Sequence, residues 1–227
     1  MLLLLAVLPG IVLFITVRRQ DKIEKEPAGL MWKLFIGGAL TTVSAMLIGW
    51  LGTEVLGEFA QAGSIAYLLI DNFLITALVE EGGKYFVLRK ATWRHPAFNY
   101  TYDAIVYAVT ASLGFAVLEN ILYVMDSDVM TALLRAVLSV PGHAFDGVYM
   151  GYFYGLAKAA WAAGERRATR RNLRRALWVP TLLHGFYDFC LDTESGLFTV
   201  IFLVFDAALT VFAIRRIKAS SRADTPI

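Results

Sequence analysis

Seven apolar runs separated by short polar connections make up most of this chain, at roughly 2–17, 30–51, 64–88, 102–123, 131–158, 176–191 and 197–214. A helix needs about 20 apolar residues to cross the hydrocarbon core of a bilayer. The pattern therefore predicts an all-α, polytopic transmembrane bundle of about seven spans. The sixth run is short, and several runs carry polar residues. No internal repeat suggests paired transporter halves, and the connections are too short for an appended soluble domain. Residues 1–227 read as a single integral membrane domain, with a core at about 64–191.

Charge sorts the connections into two sets. One set holds Arg18, Arg19, Lys22 and Lys25, then Arg89, Lys90 and Arg94. It continues with the arginines between 166 and 175 and ends with Arg215, Arg216, Lys218 and Arg222. The alternate connections (52–63, 124–130 and 192–196) have no lysine or arginine and carry Glu54, Glu58, Asp126, Asp128, Asp192 and Glu194. Basic residues stay on the cytoplasmic side, so the expected orientation is N-terminus outside and C-terminus in the cytoplasm. The first run lacks a basic flank before it and a small-residue cleavage site. It reads as an uncleaved span rather than a signal peptide.

Composition agrees: 58% of residues are hydrophobic and only 18% are charged, with a mean hydropathy of +0.59, above the soluble range. The single cysteine, Cys190, excludes an intrachain disulfide. No basic stripe interleaved with aromatics points to nucleic acid. The last run has no lysine for a retinal Schiff base, which removes the best-known seven-helix alternative.

Polar residues inside the runs point to chemistry. In the third run Glu80 and Glu81 are adjacent; Lys84 shares the helical face of Glu80, with Glu81 on its flank within reach. A carboxylate at bilayer depth costs on the order of a few kcal/mol, so two in a row must be paired, hydrated or used. One lysine explains one structural ion pair and leaves the second glutamate over. The fourth run contributes Glu119 and Asn120, close to its predicted outer end, and Arg135 on the next run is a candidate partner for Glu119. The fifth run carries His143 just after Pro141-Gly142, where proline should open the helix. Gly147, Gly151 and Gly155 follow as a stripe that permits close helix approach. Asp146 is offset in phase, free to orient the imidazole or to face elsewhere. In the sixth run Asp188 lies one turn from His184, where it can fix the tautomer of the ring. Asp71, Asp103 and Asp206 have no assigned chemistry, Asp103 being expected at a helix start. His95 lies in a basic connection.

In order and spacing, Glu80-Glu81-Gly82-Gly83-Lys84 is an EExxK motif and Phe115 to Asn120 is FxxxEN. His143 to Gly147 is HxxxG, and His184 to Asp188 is HxxxD. Together, over about residues 65–190, they resemble the PrsW family of bacterial intramembrane proteases, itself distantly similar to CAAX prenyl proteases and bacteriocin-immunity proteins. The resemblance implies a multi-pass protein of the bacterial plasma membrane that hydrolyses a peptide bond in a membrane-anchored substrate, such as an anti-sigma factor cut at its first site in a stress response.

Two mechanisms use the same residues. In one, Glu119, His143 and His184 hold a divalent metal such as zinc, with Glu80 or Glu81 as general base. In the other, slightly favoured, no metal takes part. A glutamate activates water with Glu119 or a histidine, while the other histidine and Asn120 stabilise the oxyanion. The rival function is an ion-coupled transporter or proton relay, for which intramembrane Glu/His chains are equally typical.

Overall fold

The computed structural model describes residues 2–125 and 127–227, so Asp126, counted above among the acidic connections, lies outside the described residues. Among these, helix is the only extended regular structure, apart from an isolated bridge between Tyr100 and Pro226. Seven continuous helical rods form: α1 (Leu2–Gln20), α2 (Ala28–Gly57), α3 (65–92), α4 (Asp103–Met125), α5 (129–162), α6 (Arg166–Asp192) and α7 (Gly196–Arg222). Each expected apolar run falls inside one rod to within one residue. Four rods, α1, α2, α4 and α7, are long and apolar enough to cross a membrane by length and composition. The other three carry more polar residues within their runs, and α6 also extends ten residues before its apolar run, so the arginine-rich connection is itself helical.

Two rods are not uniform α-helix. In α3, Asp71–Ala77 is a π-helical segment between Ile65–Ile70 and Leu78–Thr92. In α5, Arg135–Ser139 is π-helical between Val129–Leu134 and Val140–Ala162. The expected opening at Pro141-Gly142 is thus a widening just upstream rather than a break. Proline lacks an N–H and crowds the carbonyl four residues back. A π-turn absorbs both effects while the rod continues.

The core forms around α4. Every residue from Asp103 to Val117 is buried, as expected of a helix that is apolar all round. It packs mainly against α2, α5 and α1. Small residues set how closely. A Cβ on Gly38 of α2 would lie 2.0 Å from the Ala111 carbonyl oxygen, and one on Gly114 would lie 2.0 Å from that of Phe35. The α5 glycine stripe does the same on the other side: a Cβ on Gly151 would stand 2.5 Å from both Ala104 O and Ile105 Cα. By contrast, α1, α2 and α7 expose large apolar side chains, among them Leu4, Trp32, Leu47, Trp50, Leu203 and Phe212. That is far more apolar surface than water tolerates in one patch and is suited to lipid.

Basic connections meet at one end of the bundle. Tyr102 donates its hydroxyl hydrogen to Val17 O at 3.1 Å, Lys158 Nζ donates to Trp93 O at 2.8 Å, and Ile227 N donates to Asn99 O at 2.7 Å. Asp103, expected at the start of α4, does sit there. Its Oδ2 reaches back to accept from the N–H groups of Asn99 and Tyr100 at 3.1 and 2.7 Å.

Replacing Gly151 by valine should force α4 and α5 apart and cost about 1–3 kcal/mol or more by overpacking. Thermal unfolding in detergent should show a clear fall in midpoint. The same change at Gly82, where an added Cβ meets nothing within 4 Å, should have little effect; equal loss at both positions would contradict the packing account.

Candidate active site

Four rods converge on one polar cluster, and its centre is Lys84. Its side chain is wholly buried, with Nζ 2.7 Å from Glu81 Oε1, 3.6 Å from Glu80 Oε2 and 3.1 Å from His143 Nδ1. The same ammonium lies 4.1 Å from the centroid of the Phe115 ring, a cation–π arrangement. An ammonium can only donate, so His143 Nδ1 accepts. Its Nε2–H is then free to donate to Glu119 Oε2, 3.1 Å away. This contact chain fixes the tautomer of His143.

His184, on α6, is held between carboxylates. Nδ1 is 3.0 Å from Glu81 Oε1, and Nε2 is 3.1 Å from Asp188 Oδ2 and 3.7 Å from Glu80 Oε2. The two imidazoles face one another edge to face, with centroids 5.2 Å apart. The same Glu119 Oε2 is also held by Arg135, whose Nη2 donates to it at 2.6 Å. Arg135 Nε donates at 2.8 Å to Asn120 Oδ1, and its guanidinium lies 3.9 Å from the Tyr123 ring centroid. The expected Arg135–Glu119 pair therefore forms. Asn120 is buried behind it and is not among the residues that line the cavity.

A cavity of about 420 Å³ opens onto this cluster. Glu80, Glu119, His143, Asp146, His184 and Asp188 line it, whereas Glu81 and Lys84 sit behind the wall. The two adjacent glutamates are thus divided by helical phase: one faces the cavity, the other is bound to Lys84 and His184. Along α3 the lining runs from Asp71 through Thr76 to Glu80, nine residues or on the order of 13 Å. The π-segment lies within this stretch and shifts the phase of what precedes Glu80. At the Asp71 end, Thr53 Oγ1 donates to Asp71 Oδ1 at 2.9 Å.

Sequence spacing brings Glu80, Glu81, Lys84, Glu119, His143, His184 and Asp188 into one cluster, as expected. It does not assemble the expected metal triad of Glu119, His143 and His184. Among the described residues, donor atoms within 4.8 Å of one another come from Glu80, Glu119 and His143, or from Glu81, His143, Asp146 and His184. The physical reason is the double clamp on Glu119 by Arg135 and His143, while His184 is drawn to Glu81 and Asp188.

Further residues of the cavity wall lie outside the fixed positions of the four motifs. Asp146 is buried in the wall with Oδ1 unpartnered among the described residues; its place three residues after His143 left its direction open. Tyr187 and Tyr123 also line the cavity. Their spacing, three residues after His184 and four after Glu119, was the available signal, since such positions share a helix face.

Fold and site together define a helical membrane protein whose ionisable groups are gathered around a cavity inside the bundle, the arrangement of an enzyme that works within the membrane. Residues 26–214 match the family described as PrsW family intramembrane metalloprotease. The chain is 37% identical to Protease PrsW of Oceanobacillus iheyensis over 94% of its length and 93% of that protein. It is 36% identical to Protease PrsW of Geobacillus kaustophilus over 93% and 88% of the two chains. For Protease PrsW of Bacillus subtilis the identity is 35%, over 92% and 91%. No solved structure matches it. The chain belongs to the PrsW family and is an intramembrane peptidase.

Removing Lys84 should leave Glu81 buried without its cation. Lys84→Met is expected to destabilise the protein by roughly 3–5 kcal/mol. Glu81→Gln combined with Lys84→Met should recover much of that loss, since no unpaired charge remains. Thermal unfolding in detergent gives the comparison; a double variant as unstable as the sum of the singles would contradict the pairing.

Proposed function

We propose that the cavity is the place of peptide-bond hydrolysis and that Glu80 is the general base. The observation that carries this reading is the division of the two glutamates. Glu80 lines the cavity and its Oε2 has no hydrogen-bond partner among the described residues, only the longer approaches of Lys84 at 3.6 Å and His184 at 3.7 Å, while Glu81 Oε1 is committed to Lys84 and His184. A carboxylate that lines a space large enough for several waters is placed to take a proton from one of them. Glu81 and Asp188 hold His184 with Nε2 3.7 Å from Glu80 Oε2, so an N–H of the ring can give its proton to the leaving nitrogen and be restored by the proton that Glu80 took from water. Lys84 positions Glu81 and His143, and Arg135 positions Glu119. Asn120 acts through Arg135.

The family's description implies a metal, and the residues fit one. Glu80, Glu119 and His143 place donor atoms of two carboxylates and an imidazole within 4.8 Å of one another, a donor set of zinc type; holding an ion there would require His143 Nε2 without its proton and would engage Glu80 as a ligand rather than as the base. The deeper set of Glu81, His143, Asp146 and His184 surrounds the Lys84 ammonium at 2.7 Å from Glu81 and 3.1 Å from His143, which opposes a second cation there more strongly than at Glu80, 3.6 Å from the same ammonium. When bound, a divalent ion supplies polarisation of the scissile carbonyl and a more acidic water.

The substrate class this reading supports is a membrane-anchored protein, with an anti-sigma factor cut at its first site as the instance the resemblance suggests. Segregation of the basic connections to one end of the bundle supports a single multi-pass domain in a bacterial plasma membrane, N-terminus outside and C-terminus in the cytoplasm, with the catalytic core at about 64–191.

Co-expression with single-span candidate substrates tests the assignment. Glu80→Gln should lower the rate of fragment formation by about a hundredfold or more, and His184→Ala should do the same. Fragments formed equally by wild type and both variants would remove hydrolysis at this site. Proton flux in proteoliposomes that depends on Glu80, without any cleaved product, would favour the relay instead. Chelation with elemental analysis of the purified protein measures the metal: if one takes part, activity should fall as the bound ion is removed and return with zinc.

A further inference from the structure

A second acidic cluster lies at the basic end of the bundle, away from the cavity. It is built from Glu24 and Glu26, in the connection between α1 and α2, and Asp103, the first residue of α4. Asp103 precedes Glu119 by sixteen residues on the same helix, roughly 24 Å at 1.5 Å per residue. The hydrolytic chemistry above makes no use of it.

Glu26 and Asp103 are almost completely buried, at 3% and 0% exposure. One oxygen of each is satisfied. Tyr107 donates its hydroxyl hydrogen to Glu26 Oε2, and the Asn99 and Tyr100 N–H groups donate to Asp103 Oδ2. The other oxygens, Glu26 Oε1 and Asp103 Oδ1, have no partner among the described residues. The two carboxyl groups have oxygens within 4.8 Å of each other. Glu24, which is exposed, adds a third oxygen, and all three donors fall within 4.8 Å of one another. The nearby Lys25 does not neutralise them; its ammonium donates to the main-chain carbonyls of Arg18 and Asp21. Burial pushes the Glu26 carboxyl above its ordinary range, with Asp21 and Glu24 adding to the repulsion.

Two abutting buried carboxylates, each with an unused oxygen, are costly unless a cation or a proton joins them. An all-oxygen donor set with one exposed member, leaving room for waters, suits a hard divalent ion rather than zinc or copper. We propose that Glu24, Glu26 and Asp103 form a binding site for a hard divalent cation of the calcium or magnesium kind. The ion ties the connection preceding α2 to the start of α4, the two helices that pack backbone to backbone at Gly38 and Gly114. It is a structural site, separate from any metal in the cavity.

The test uses the full chain in detergent after chelation, with Ca²⁺ and Mg²⁺ titrated separately. Thermal unfolding should shift upward by about 2–4 °C at saturating ion. Tb³⁺ should give saturable emission sensitised by Tyr107, and the bound ion should be displaced by whichever of the two cations the site prefers. Glu24→Gln, an exposed substitution that leaves the fold alone, should weaken binding about tenfold, and Asp103→Asn should abolish it. Repeating the titration in Glu119→Gln separates any ion held in the cavity, and there the signal should persist. No response in wild type would overturn the proposal and leave a shared proton as the link between Glu26 and Asp103. A response unchanged in Glu24→Gln and Asp103→Asn, or lost in Glu119→Gln, would overturn it by placing the ion elsewhere.

Discussion

A fully buried ammonium is the constraint around which this protein is arranged. Lys84 has no water to solvate it, so its three donors must be met by protein groups. Glu81, His143 and the flank of Glu80 meet them, and the Phe115 ring covers the remaining side. Those partners come from three different rods, and through His184 they recruit a fourth. The cost of a lone charge therefore acts as a registration device. It fixes which faces of α3, α4, α5 and α6 meet, and it sets the tautomer of the histidine nearest Glu119.

Registration of this kind requires helices that approach closely. Backbone contacts at Gly38, Gly114 and Gly151 bring α2, α4 and α5 within reach of short polar side chains. The two π-segments act in the opposite sense, widening α3 and α5 beside the cavity. Tight packing on one side of the cluster and local widening on the other leave a space that water can enter, bordered by carboxylates and imidazoles. Hydrolysis needs both features: groups held in fixed positions and a reactant that lipid would exclude.

Much of this was legible in the sequence. Apolar runs gave the seven rods, and four motifs at fixed spacing named the residues that meet, because positions three or four apart share a helix face. Periodicity could not show which glutamate faces the cavity. That depends on the phase of α3 against α6 and on a π-turn that no residue pattern announced. The same limit applies to the metal triad: Glu119 and His184 are on different helices, and the competing pulls of Arg135 and Asp188 decide their distance. Asp146 was ambiguous for the same reason. The Glu26–Asp103 contact joins a connection to a helix start 77 positions later, beyond any local pattern.

Whether water reaches Glu80 inside the bilayer tests the account most directly. With Cys190 replaced by serine, Thr76→Cys on the cavity wall and Leu74→Cys, exposed on the outer face of α3, can be challenged in membranes with a small charged thiol reagent. The account predicts rapid labelling at position 76 and none at position 74. Protection of position 76, or equal labelling of both, would contradict a hydrated cavity at this site.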